Sequence, residues 1–227
     1  MKRIWTIWLV GVLVACSNND GKKQQTGNEP QPRRADTSHK APVANVKNII
    51  FFGNSITAGY GVEPTEAFPA RIGEKLDSLK LPYRVINAGL SGETTAGGRN
   101  RVDWVLRQPV DVFVLELGGN DGLRGIPIIE TRQNLQAIID KVREKNPQAI
   151  IILAGMQVPP NMGSRYAGEF RNTFRELAEK NKIPLIPFIL EGVGGVQHLN
   201  QADGIHPTPE GHRIVAENVW EVLKQVL

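Results

Sequence analysis

From residue 48 to the C-terminus, short apolar runs alternate with stretches of helical period, and that alternation confines the chain to one class of architecture. The runs fall at residues 48–52, 84–87, 111–117, 149–154 and 184–188. Each is short and mostly continuous in its apolarity, as a strand covered on both faces requires. Between them, Leu135, Ile138, Ile139 and Val142 recur at helical spacing, as do Phe170, Phe174, Leu177 and Ala178. The final segment carries its own start signal: Thr208 suits an N-cap and Pro209 the first helical position. Ile214, Val215, Val219, Val222, Leu223 and Val226 then make an apolar stripe. Repeated strand–helix alternation predicts an α/β domain over residues 48–227, with a parallel sheet between helical layers. In such sheets ligands bind beyond the carboxyl ends of the strands. The polar residues that directly follow each strand are therefore the first candidates for chemistry.

The first 47 residues read differently. Lys2 and Arg3 precede an apolar run at residues 4–14, followed by Ala15 and Cys16. Eleven residues are too few to span a bilayer as a helix, which takes roughly 20, so the run reads as the apolar region of a signal peptide. Leu13-Val14-Ala15-Cys16 resembles the lipobox of bacterial lipoproteins, which implies a signal at residues 1–15 and a lipidated Cys16. Cys16 is the single cysteine of the chain, so the domain holds no disulfide, thiolate nucleophile or cysteine metal site. Residues 16–47 are polar, without apolar period, and read as a flexible tether containing the solvated His39. The expectation is a lipid-anchored protein of the bacterial cell envelope.

The charge follows the same division. The pI near 9.3 and formal net charge of +4 suggest an acidic partner. However, Lys2 and Arg3 supply +2, and residues 17–47 hold six basic residues against three acidic ones, which leaves residues 48–227 at −1. A nearly neutral domain lacks the basic face that duplex binding requires, so no nucleic-acid partner is expected.

Four segments of the domain carry reactive or hydrogen-bonding groups. Gly53-Asn54-Ser55-Ile56-Thr57-Ala58-Gly59 follows the first strand and can present Ser55 at the sheet edge. It is neither a Walker loop nor a dinucleotide fingerprint, and Thr57 occupies the place of the second glycine in a Gly-x-Ser-x-Gly elbow. Gly92, after the second strand, can bring an open backbone amide close to an oxyanion, and Asn120, after the third, offers an amide donor. Alone, the Ser55 turn is a weak signal, and the Gly92 and Asn120 segments read first as turns with Asx hydrogen bonding. Near the C-terminus, Asp203 and His206 lie three residues apart in a turn held by Gly204 and Pro207, a spacing that suits a base and its orienting carboxylate. His198 and His212 read as surface or supporting histidines. Four histidines without clustered ligand spacing predict no metal, and no cofactor motif is present.

In this order, the four segments resemble the blocks of the SGNH (GDSL-type) hydrolase superfamily, over essentially all of residues 48–227. Gly118-Gly119-Asn120-Asp121-Gly122-Leu123-Arg124-Gly125 and Asp203-Gly204-Ile205-His206-Pro207 look most like its acyl-CoA thioesterase, arylesterase and lysophospholipase group. The resemblance implies a flavodoxin-like three-layer α/β/α sandwich with a five-stranded parallel sheet. It also implies Ser55 as nucleophile, His206 as base, Asp203 as orienting carboxylate, and an oxyanion hole made by the Ser55 and Gly92 amides and the Asn120 side chain. The expected activity is hydrolysis of acyl esters and thioesters through an acyl-enzyme. A glycan acetyl esterase is the alternative within the superfamily, and a lipid-anchored non-catalytic binding module the alternative outside it. One position departs from the pattern: Asn54 stands where the superfamily commonly has Asp, keeping the size but not the charge.

Overall fold

A computed structural model describes residues 46–227. Cys16, His39, the signal segment and nearly all of the tether lie outside the described residues. Strands β1 (Lys47–Gly53), β2 (Tyr83–Gly89), β3 (Val112–Glu116), β4 (Ile150–Ala154) and β5 (Leu185–Ile186) form one sheet in the order β2-β1-β3-β4-β5, every neighbouring pair parallel. This is the flavodoxin-like order, with its switch point between β1 and β3.

Seven α-helices complete the described fold: α1 (Ser55–Ala58), α2 (Phe68–Ser78), α3 (Thr95–Val105), α4 (Gly119–Leu123), α5 (Ile128–Lys145), α6 (Ser164–Asn181) and α7 (Pro209–Leu223). Helix α2 packs against α7, while α5 lies between α3 and α6, so the sheet is enclosed by two helical layers. Among the described residues no helix is long and apolar enough to cross a membrane.

The local signals act as expected at most positions. The Thr208 side chain accepts from the Gly211 amide and Pro209 opens α7. Leu135, Ile138, Ile139 and Val142 of α5 are buried, as are Phe170, Phe174, Leu177 and Ala178 of α6. The central strands β1, β3 and β4 are buried on nearly every residue. Strand β2 is the exception to the expected two-sided coverage: it lies at the sheet edge and is half-exposed along its length. The fifth strand is shorter than its apolar run, pairing only through Leu185 and Ile186 before the chain turns away.

Of the two expectations for His212, surface or supporting, the structure takes the second. The residue is fully buried on α7, its ring stacked on Phe68 and its Nδ1 accepting from the Phe68 amide at 3.3 Å. A histidine one turn into α7, just before its apolar stripe, serves here as a tie between α7 and α2. Burial, reinforced by the nearby His206 and Arg71, holds its pKa at about 4, well below the usual imidazole range.

As pH falls below the ordinary histidine value, the unfolded chain takes up this proton before the folded chain does. Stability attributable to His212 is therefore lost progressively from about pH 6.5 down to about 4, by on the order of 3 kcal/mol in total. His212→Asn keeps an acceptor for the Phe68 amide and removes the titration. Chemical denaturation between pH 7 and 4 should show a shallower loss of stability in this variant than in the wild type.

Candidate active site

Parallel pairing brings three loops to one place. Gly53 of β1 pairs with Gly89 of β2 on one side and with Glu116 of β3 on the other, so all three strands end level. Gly53 and Gly89 are required by close approach: a Cβ on Gly53 would overlap the Thr57 hydroxyl, and one on Gly89 would overlap the Ala58 nitrogen. Beyond these ends lies a cavity of about 180 Å³, lined in part by Ser55, Gly92, Asn120 and His206.

Ser55 opens α1, buried to 8% exposure, directly after Asn54. The Asn54 Oδ1 caps this short helix by accepting from the Ile56 amide at 2.9 Å. Ser55 Oγ lies 2.9 Å from His206 Nε2, and His206 Nδ1 lies 2.6 Å from Asp203 Oδ2. The second Asp203 oxygen accepts from the amides of Ile205 and His206, at 3.0 and 3.1 Å. Partial burial works to raise the Asp203 pKa, but the hydrogen bonds from His206 and the two amides outweigh it and hold the carboxyl at about 2. Asp203 is thus an anion at any pH where an imidazole could act as base. The loop itself is anchored by the Gln201 amide, which donates to the His206 carbonyl at 2.7 Å, and by the Gln201 side chain, which donates to the Tyr60 carbonyl at 2.7 Å. The Tyr60 ring rests on the His206 ring with centroids 4.7 Å apart.

The other two segments meet the same cavity. Gly92 has φ of +79°, a conformation that glycine adopts without strain, and no atom within 4 Å would obstruct its Cβ side. The Arg124 guanidinium donates to the Gly92 carbonyl at 3.1 Å. Asn120 Nδ2 donates one hydrogen to the Glu93 carbonyl at 3.0 Å, and the second N–H of that amide is the one left for a ligand. Glu93 is itself tied by a short ion pair to Arg101, whose guanidinium covers the Phe52 ring. The buried Asp121 carboxylate accepts from the Thr95 amide and hydroxyl, binding the Asn120 segment to the start of α3.

All six sequence-predicted groups of the domain therefore converge: Ser55, Asp203 and His206 in one hydrogen-bonded line, and the Ser55, Gly92 and Asn120 donors on the shared cavity. What the sequence left unassigned is Glu116. The last residue of β3 is fully buried, and burial raises its pKa to about 7 against the opposing effect of hydrogen bonds from Thr57 and Asn54. An acidic residue ending an otherwise unbroken apolar strand was the available signal.

Residues 51–214 match the family model described as the GDSL-like lipase/acylhydrolase family. The chain belongs to that family. Esterase TesA of Pseudomonas aeruginosa is 40% identical over 185 residues, which cover 81% of this chain and 91% of that protein. The Escherichia coli protein named thioesterase 1/protease 1/lysophospholipase L1 is 34% identical over 175 residues, covering 77% of this chain and 82% of its own length. Among solved structures, the esterase EstA from Pseudoalteromonas sp., inhibited by monoethylphosphonate, superposes with a TM-score of 0.74 at 30% identity, over 79% of this chain and 97% of EstA. As a GDSL-family member with such relatives, the protein is an ester hydrolase of the SGNH type.

Proposed function

We propose that Ser55 is the nucleophile of an acyl-enzyme mechanism. The observation that carries this reading is the unbroken line from Ser55 Oγ through His206 to the ionised Asp203. His206 Nε2 takes the Ser55 proton as Oγ attacks the ester carbonyl, and Asp203 fixes the tautomer and stabilises the imidazolium. The Ser55 and Gly92 amides and the free N–H of Asn120 receive the oxyanion. His206 returns the proton to the leaving alcohol or thiol, and water repeats the sequence to release the acid. The phosphonate inhibition recorded for EstA supports this reading, because a tetrahedral phosphonyl group resembles the intermediate such a site stabilises.

The substrate we assign is a fatty-acyl ester of the lysophospholipid or aryl type. Its support is the lining of the cavity by Ile56, Tyr60, Leu123 and Ile205, three of them partly open to solvent. Such walls suit an acyl chain better than a glycan, whose hydroxyls would ask for polar partners. We further propose that Cys16 bears a lipid and that the chain is held on a membrane of the bacterial envelope. The basic residues of the tether, close to the anchor, favour an anionic surface.

Three measurements check these assignments. Ser55→Ala should lower p-nitrophenyl ester hydrolysis by at least about 10⁴-fold, and Asn120→Ala should lower kcat by about 100- to 1000-fold. Across p-nitrophenyl esters of increasing chain length, octanoyl should be preferred to acetyl, while the reverse preference would favour the glycan acetyl esterase. Cys16→Ser in the full-length chain should move the enzyme from the membrane to the soluble fraction with its specific activity unchanged.

A further inference from the structure

Glu116 lies beneath the Ser55 turn and bonds the residues on either side of it, Asn54 and Thr57. Its Oε2 accepts from the Asn54 amide at 3.1 Å and from the Thr57 hydroxyl at 2.8 Å, while its Oε1 accepts from Asn54 Nδ2 at 2.7 Å. All three partners donate, and none is titratable. The Asn54 side chain is thereby held between opposite demands. On one end the Glu116 carboxylate, in its ionised form, can only accept, so it selects the NH2 group. On the other end the Ile56 N–H can only donate, so it selects the carbonyl oxygen. The same Oδ1 stands 3.4 Å from Ser55 Oγ, beside the shorter contact to His206.

We infer that Glu116 is a positioning residue for Ser55: its carboxylate sets the sense of the Asn54 amide, and through that amide the turn that presents the nucleophile. Burying a carboxylate is costly unless it is fully hydrogen-bonded, and here every bond it makes ends on the two residues that flank the Ser55 turn. The asparagine at position 54 is complementary to this arrangement. An aspartate there would set a second carboxylate against Oε1 and require one of the two to hold a proton. Loss of the acceptor at Oε1 has a defined consequence. Asn54 must either face another donor or turn over, and turning over removes the acceptor from the Ile56 amide and points an N–H at Ser55 Oγ. The inference rests on the reading of Ser55 as nucleophile.

The test reverses one hydrogen bond. In Glu116→Gln alone, an amide donor stands against the Asn54 donor. In Asn54→Asp/Glu116→Gln, the NH2 of the introduced glutamine would take the place of Oε1 and donate to the introduced carboxylate. The carbonyl oxygen of that glutamine would still accept from the backbone amide of residue 54 and from Thr57, and the second oxygen of the introduced carboxylate would cap Ile56. We expect Glu116→Gln to lower kcat by at least about 10-fold with KM within about twofold of wild type, since sub-ångström displacement of a nucleophile is costly. The double variant should recover kcat to within about threefold of wild type, a coupling that a purely structural role would not produce. Wild-type kcat in Glu116→Gln, or a double variant as slow as the single one, would overturn the inference. If Glu116→Gln does not fold, the double variant decides alone: a folded, fast enzyme supports the inference, and a slow or unfolded one overturns it. Fluorophosphonate labelling separates this from the underlying reading. Failure to label wild-type Ser55 would remove both, whereas labelled Ser55 with a fully active Glu116→Gln removes only the role of Glu116.

Discussion

The site depends on the register in which β1 is held between β2 and β3. Parallel pairing sets Gly53 level with both Gly89 and Glu116, so the chain leaves three adjacent strands at the same height. The Ser55, Gly92 and Asn120 segments start from that level and have little choice but to meet. A slip of one residue in either pair would turn the apolar side chains of the shifted strand to the opposite face and separate the three loops. The absence of side chains at Gly53 and Gly89 lets α1 sit almost in contact with the strand ends, which brings the Ser55 amide and hydroxyl to the mouth of the cavity.

Two kinds of support then hold Ser55 and His206, and they differ in burial. The Ser55 turn is fixed from beneath by buried polar groups, Asn54, Thr57 and Glu116, in surroundings where each hydrogen bond is strong and each missing one is expensive. His206 is supplied from an exposed loop, and its order comes from local bonds instead: Asp203 accepting from its own turn, and Gln201 tying the loop to His206 and Tyr60. A rigid floor and a locally braced loop deliver Ser55 Oγ and His206 Nε2 to within 2.9 Å of each other across 151 residues of chain.

Much of the architecture was legible because it rests on period and punctuation. The five apolar runs became five parallel strands, and Thr208 with Pro209 opened the last helix as the sequence predicted. The positions misjudged or left open share one cause. Strand β2 was expected to be covered on both faces, and its place at the sheet edge, which exposes it, is a matter of strand order. For His212 the sequence leaves surface and supporting places open, and the burial that chooses between them comes from α7 lying against α2. Glu116 carried no assignment, because an acid at a strand end gains meaning only from what lies above it.

The residues alone determined the kinds of chemistry available: a serine hydroxyl in a glycine-bounded turn, a histidine with a carboxylate three positions before it, an amide donor and a glycine backbone after successive strands. They also determined the α/β class, since periodicity is a local property of the chain. Tertiary structure decided which of these groups touch, which strand lies at the edge, and which polar side chains are removed from water. Those outcomes depend on contacts between residues far apart in sequence, such as Glu116 beneath Asn54 and His206 beside Ser55, and only closure of the sheet and its helical layers sets those distances.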